Sequence, residues 1–364
     1  MTVTVSSKLN YHSIHLSNEI LDVVIDGGLI MNKDIKLSSN TKIALGVTCG
    51  FILTLVMIPV LFVSATTSEI IEYDSNSTKI SQIAGNDELE ETDNFYITVY
   101  RSQTSQHQTI ELERYLIGVV AAEMPALFEL DALRAQAVAA RTYAMRILKH
   151  EDYILDTVMH QVFLDDDQLK ERWGDSFDLH FATIEEAVTS TRGIVLEYDD
   201  ELITPMFFAM SSGATENSED VFSAKRPYLR SVTSTGYENR ANFSVEETFT
   251  IDDLKLAFDD SSIAEDSISV LRHSEGGNVD KIRIGANTYT GREVRETLGL
   301  RSAAFSISNG RRGITFTTYG NGHGVGMSQY GANEMARNGY NYIDILQHFY
   351  QNVTLVEKSF INYE

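Results

Sequence analysis

A single proline, Pro125, divides YLIGVVAAEMPALFELDALRAQAVAARTYAM, residues 115–145, into two helical segments. Proline disfavours helical geometry in the residue before it, so a short helix over Leu116–Glu123 ends at Met124-Pro125. Asp131–Lys149 reads as a long second helix. Its alanines at 132, 135, 137, 139 and 140 let a neighbour approach closely. The turn centred on Pro125 can fold the second helix back on the first.

Glu123 stands between Ala122 and Met124 at the carboxyl end of the first helix. Apolar flanks and the negative end of the helix dipole both disfavour a carboxylate, which makes Glu123 a candidate general acid. The alternative is a glutamate facing water beside a turn. Arg141, in the second helix, could orient a substrate hydroxyl, pair with Glu123 and lower its pKa, or form a structural ion pair. Arg134 lies seven residues before it, so the two can share a helix face.

Ile43–Ala65 is the longest apolar run and carries no charge. It is long enough to cross a bilayer and is read as an uncleaved anchor. Lys33, Lys36 and Lys42 precede it, while Glu69, Glu72 and Asp74 follow. The positive-inside rule then puts residues 1–42 in the cytoplasm and the rest outside. Residues 66–93 are acidic and rich in Ser and Thr, and read as a flexible stalk. Cys49, the one cysteine, lies inside the apolar run, so the outer region has neither a disulfide nor a thiolate metal site. A net charge of −23 argues against nucleic acid as a partner.

The remainder, 94–364, is expected to be an α+β domain, a mixed α/β unit with a small inserted subdomain at 237–308 forming a cleft. Tyr96–Tyr100 alternates as a strand. Gly193–Tyr198 and Glu201–Met210 read as a hairpin closed by Asp199-Asp200. Phe305–Ile307 and Ile314–Thr318 read as strands returning to the main sheet. Ser328 is a helix N-cap, with Gly339 past that helix's end.

Two further islands carry chemistry. MSSGATENSEDV, residues 210–221, is a hydroxyl- and amide-rich loop of the kind that suits sugar hydroxyls, or else a plain turn. Glu216, Glu219 and Asp220 within it could serve as acid/base partners, although their spacing matches no calcium loop. GNGHGVGMSQYGANEMA, residues 320–336, alternates glycine around His323. It is not a phosphate loop, and His160, His180 and His348 are too scattered to define a metal site with it. No GxSxG elbow is present.

YLIGVVAAEMP, ALRAQAVAARTYA, SSGATENSEDVF, KRPYLRSV and GHGVGMSQYGANEMA occur in this order over about residues 115–350. Together they resemble the stage II sporulation protein D family of peptidoglycan lytic transglycosylases. The resemblance implies cleavage between N-acetylmuramic acid and N-acetylglucosamine in peptide-free glycan strands, without water and without a cofactor. It assigns the catalytic acid/base to Glu123 and glycan binding to Arg141, Tyr228 and Arg230, with Lys225, Ser211, Ser212 and His323 as weaker candidates. One carboxyl group suffices, because the sugar's own C6 hydroxyl attacks and leaves a 1,6-anhydro end. The resemblance also implies a partner amidase and a membrane protein during engulfment in sporulation. Two departures stand out. Ala209 occupies a position where the family often has His. The segment Met159-His160-Gln161 lacks the Cys of members thought to hold zinc, so no metal is expected. The competing expectation is a non-catalytic, glycan-binding enhancer of an amidase.

Overall fold

The computed structural model describes residues 94–358, together with a two-residue strand pair, Thr2–Val3 with Ile14–His15, in an amino-terminal unit of its own. The expected anchor at Ile43–Ala65 and stalk at 66–93 lie outside the described residues. Among those described, no helix is long and apolar enough to cross a membrane.

Tyr96–Arg101 (β1) buries every second residue, including Ile97 and Val99, and pairs antiparallel with Gln106–Glu111 (β2). The Glu111 carboxylate accepts from the Arg114 amide and so starts Leu112–Glu123 (α1) four residues earlier than the sequence suggests. Met124 is extended before Pro125, and Leu130–Leu148 (α2) follows. The alanines of α2 have almost no exposed surface, so the helix lies at the centre of the main core, against α1. Gly118 is required on α1, because a Cβ there would stand 2.3 Å from the Leu164 carbonyl and 2.5 Å from the Phe163 ring.

Ile154–Leu155 (β3) runs parallel to β1. Asp166–Trp173 (α3) starts at a reciprocal Asp165–Gln168 cap and leads to Phe177–Thr189 (α4). Ile194–Tyr198 (β4) turns through Asp199 and Asp200, both at positive φ (52° and 60°), into the short Glu201–Leu202 (β5). Positive φ at both central residues is the turn geometry that favours Asp. Phe207–Phe208 (β6) and the short helix Ser218–Phe222 (α5) follow.

The inserted segment then builds a second core. It comprises Ser244–Phe249 (β7), Ile251–Phe258 (α6), Ile268–His273 (β8), Val279–Ile284 (β9), Asn287–Tyr289 (β10) and Gly291–Leu298 (α7). Phe305–Gly310 (β11) and Gly313–Tyr319 (β12) complete it. These last two strands do not return to the main sheet. β12 pairs with β7 and β11, and its alternating Ile314 and Phe316 point into the second core beside Phe305. Their β-branched and aromatic residues mark them as strands, but a pattern of period two does not name the partner.

The chain re-enters the main core through Met327–Ser328 (β13), parallel to β6, then Gln329–Arg337 (α8), Tyr342–Phe349 (α9) and Thr354–Glu357 (β14). β14 pairs with β4. The architecture is a mixed α/β fold of several small sheets packed with helices.

Candidate active site

Glu123 is the last residue of α1, and its side chain is half-buried. Burial pushes its pKa up to about 7. Two groups oppose the shift without cancelling it. Gln329 Nε2 donates to Glu123 Oε2 at 3.3 Å, and the Arg172 guanidinium favours the charged form. Arg172 also closes the end of α1, donating through Nη1 to the carbonyls of Ala121 (3.1 Å) and Ala122 (3.4 Å). Gln329 Nε2 is 3.5 Å from Gln136 Oε1, and Gln136 is fully buried on α2 with its Nε2 unpartnered among the described residues. The result is a carboxyl that exchanges its proton near neutral pH, flanked by amides rather than by a second acid.

The glycine-alternating island touches both Glu123 and the inserted segment. Its carboxyl-terminal end reaches Glu123, because Ser328 caps α8 by accepting from the Gly331 amide and Gln329 follows immediately. Its middle faces the inserted segment. Gly322, Gly324 and Gly326 all have positive φ, which lets the strand-like run press against Phe208, Glu216 and Met206. His323 is locked at both nitrogens: Val325 N–H lies 3.0 Å from Nδ1, and Nε2 lies 3.1 Å from the Phe207 carbonyl. Burial, reinforced by Arg295, holds its pKa down to about 4. His323 lines a cavity of about 240 Å³ formed with α7 and the β8–β9 turn, and Glu123 is not part of that lining.

Most of the other residues expected at the site are held by partners of their own. Arg141 is 0% exposed and grips Glu113, with Nε to Oε1 at 2.8 Å and Nη2 to Oε2 at 2.6 Å. It also donates to the carbonyls of Ile194 and Val188. Glu113 lies ten residues before Glu123, about 15 Å away along the axis of α1. Arg141 therefore neither touches Glu123 nor presents a surface to a glycan in this structure. The Tyr228 hydroxyl accepts from Thr204 N–H (3.0 Å) and Arg226 Nη1 (3.3 Å), and its ring is buried. Arg230 clasps Glu219, holding that carboxyl down to about 2, and donates to Ser218 Oγ and the Arg226 carbonyl. Ser211 is buried, with its hydroxyl on the Ser234 carbonyl (3.0 Å) and the Tyr237 hydroxyl (2.6 Å). Ser212 is half-buried beside the turn at Gly277, and Lys225 is exposed. His160 Nδ1 accepts from Leu155 N–H at 3.0 Å.

Gln329, Gln136 and Arg172 complete the surroundings of Glu123 and were not singled out in the sequence. Gln136 had a usable signal, since it interrupts the small apolar residues on the buried face of α2. Gln329 sits within the GHGVGMSQYGANEMA island, but an amide has no titration or spacing signature. Arg172 carries no signal beyond its place beside the one tryptophan, Trp173.

Comparison with known proteins gives a consistent result. The sequence model of the Stage II sporulation protein family matches residues 100–198. Stage II sporulation protein D of Bacillus amyloliquefaciens is 38% identical over 270 residues, covering 72% of this chain and 78% of that protein. Stage II sporulation protein D of Bacillus subtilis is 39% identical over 279 residues, covering 73% and 80%. The Amidase enhancer of Bacillus subtilis is 28% identical over 298 residues, covering 66% of this chain and 40% of that protein.

Proposed function

The chain belongs to the stage II sporulation protein D family, and from that membership we propose that it is a peptidoglycan lytic transglycosylase acting during engulfment in sporulation. The observation that carries this reading is the Glu123 carboxyl, half-buried and raised to about 7. An acid/base group works best with its pKa near the working pH. Protonated Glu123 gives its proton to the glycosidic oxygen as the bond from C1 of N-acetylmuramic acid breaks. The resulting carboxylate takes the proton of the same sugar's C6 hydroxyl as that oxygen attacks C1. The products are an N-acetylglucosamine end and a 1,6-anhydro end, and the enzyme is returned protonated. A single carboxyl serves both steps, and no cofactor takes part.

In this proposal Lys225 and Ser212 meet the glycan directly. Arg141, Tyr228, Arg230 and Ser211 act by fixing the loops and helices that shape the site. The apolar run Ile43–Ala65 anchors the protein, with the catalytic domain outside the cytoplasm. A cell-wall amidase that strips stem peptides, together with a membrane protein, makes up the partner set.

Purified protein incubated with peptide-free glycan strands is expected to release fragments lighter than hydrolysis products by one water. Glu123→Gln is expected to abolish these fragments while glycan binding persists. Undiminished cleavage by Glu123→Gln would overturn the assignment. The similarity to the Amidase enhancer favours one second reading, a glycan-binding module that stimulates an amidase. Under that reading Glu123→Gln leaves stimulation of the amidase intact.

A further inference from the structure

We propose that the cavity between α5, the β8–β9 turn and α7 is a carboxylate-binding site, with Arg295 as the group that holds the anion. α7 places Arg292 and Arg295 three residues apart, on one face. Arg292 is already engaged, through Nε with Glu296 (2.8 Å), through Nη1 with the Val221 carbonyl (3.0 Å), and over the Phe222 ring. The acidic residues of the lining also have partners. Glu296 holds Arg292, Asp280 holds Arg272, and Asp220 accepts from the Asn217 amide at 3.2 Å.

Arg295 differs from these. It is half-buried, uses Nε on the Leu300 carbonyl (3.3 Å), and forms no ion pair among the described residues. Burial makes its charge unfavourable and lowers its pKa; the nearby Glu296 carboxylate, bound to Arg292, offsets only part of that. A desolvated guanidinium with no carboxylate in contact is costly, and its planar fork matches one. The rest of the lining suits a small carbon frame. Val221, Phe222, Val279 and Ala303 supply an apolar wall, and the neutral His323 closes one side with its ring. A volume of about 240 Å³ is smaller than a pocket for a drug-sized ligand, so it limits the ligand to roughly one sugar residue.

A carboxylate of this size has two sources: a free small organic acid, or the lactyl ether of a muramyl sugar whose peptide has been removed. Only the second rests on the transglycosylase reading. Binding of a monosaccharide involves no cleavage at Glu123, so the two can fail separately.

The test follows the His323 ring resonances of the full-length protein by NMR. N-acetylmuramic acid, its uncharged amide, N-acetylglucosamine and acetate are titrated in turn. Saturable shifts with N-acetylmuramic acid, at least tenfold weaker with its amide and with N-acetylglucosamine, are expected. Arg295→Gln should weaken the acid at least tenfold. Acetate binding as tightly as N-acetylmuramic acid supports the site with a small acid as its ligand. The proposal is overturned if the amide binds as tightly as the acid, or if neither carboxylate gives a saturable shift. The amide comparison uses unaltered protein, so it decides the question even where Arg295→Gln fails to fold.

Discussion

At Glu123 the desolvation that primes the proton also opposes folding. The native carboxyl titrates near 7, against an ordinary value of 4.5. The folded state therefore holds a proton that the unfolded chain has released, and stability falls as pH rises between those two values. The full difference is about 3 kcal/mol above pH 7. Glu123→Gln removes it, so denaturant unfolding at pH 8 should show a gain of up to about 3 kcal/mol, fading to nothing below pH 4.5. Gln329 acts in the opposite direction, since its hydrogen bond favours the carboxylate. Gln329→Ala should raise the Glu123 pKa further and move the alkaline limb of the kcat/KM profile upward by up to about one unit, the worth of one hydrogen bond to a charged group. An unmoved limb would mean that the amide does not act on Glu123. The upward push on Glu123 is legible in its neighbours, because Ala122, Met124 and Pro125 are local. Gln329 is not, because its contact spans 206 residues of sequence and only the fold brings the two together.

The α1–α2 hairpin explains why one of the two arginines quoted from this region serves structure. In an antiparallel hairpin, residues equally far from the turn face each other. Residues 113 and 141 are symmetric about residue 127, so Arg141 meets Glu113, not Glu123. The ion pair is buried and bidentate, and breaking it leaves an uncompensated charge in the core. Arg141→Met should destabilise the protein by about 3 kcal/mol or more. In a domain of this size that lowers Tm by several degrees, at about 2–4 °C per kcal/mol. The folded fraction should bind glycan strands with unchanged affinity, and a selective loss of affinity at unchanged Tm would return Arg141 to a binding role. The sequence marks both helices and the break between them through apolar content, alanine spacing and proline. It also supplies the symmetry that pairs these two residues, given the hairpin. The partners of β11 and β12 had no such local signal, and those strands joined β7 in the second core.

Across the whole molecule, the two cores are joined at a carboxyl that belongs to neither. Glu216 leaves the main core on the loop before α5 and is almost fully buried. Its Oε1 accepts from Ser274 Oγ (2.8 Å) and from the Asn278 amide (2.9 Å), both in the β8–β9 turn of the second core. Its own amide donates to the Gly324 carbonyl at 2.7 Å, so the island is bound into the same junction. Glycine is needed on both sides, since a Cβ at Gly276 would stand 2.6 Å from the carboxyl group and one at Gly324 2.9 Å from Cγ. In the sequence Glu216 looks like an acid/base partner or a cation ligand, because an acidic loop gives no sign of what will cover it. Burial pushes its pKa up, and Oε2 has no partner among the described residues. Glu216→Ala removes the acceptor for Asn278 N–H and the tie at Ser274. A hydrogen bond contributes about 0.5–1.5 kcal/mol net, so with both lost local opening of the β8–β9 turn should become about tenfold more frequent. Hydrogen exchange at the Asn278 amide is the direct measurement, with β1 and β2 as the internal reference. Faster exchange confined to the turn and to the neighbouring island would identify Glu216 as the junction between the cores. Unchanged exchange at Asn278 would show that the other ties between the two cores, such as Asn217 Nδ2 to Glu275 (2.9 Å) and Arg292 Nη1 to the Val221 carbonyl (3.0 Å), hold the inserted segment in place without Glu216.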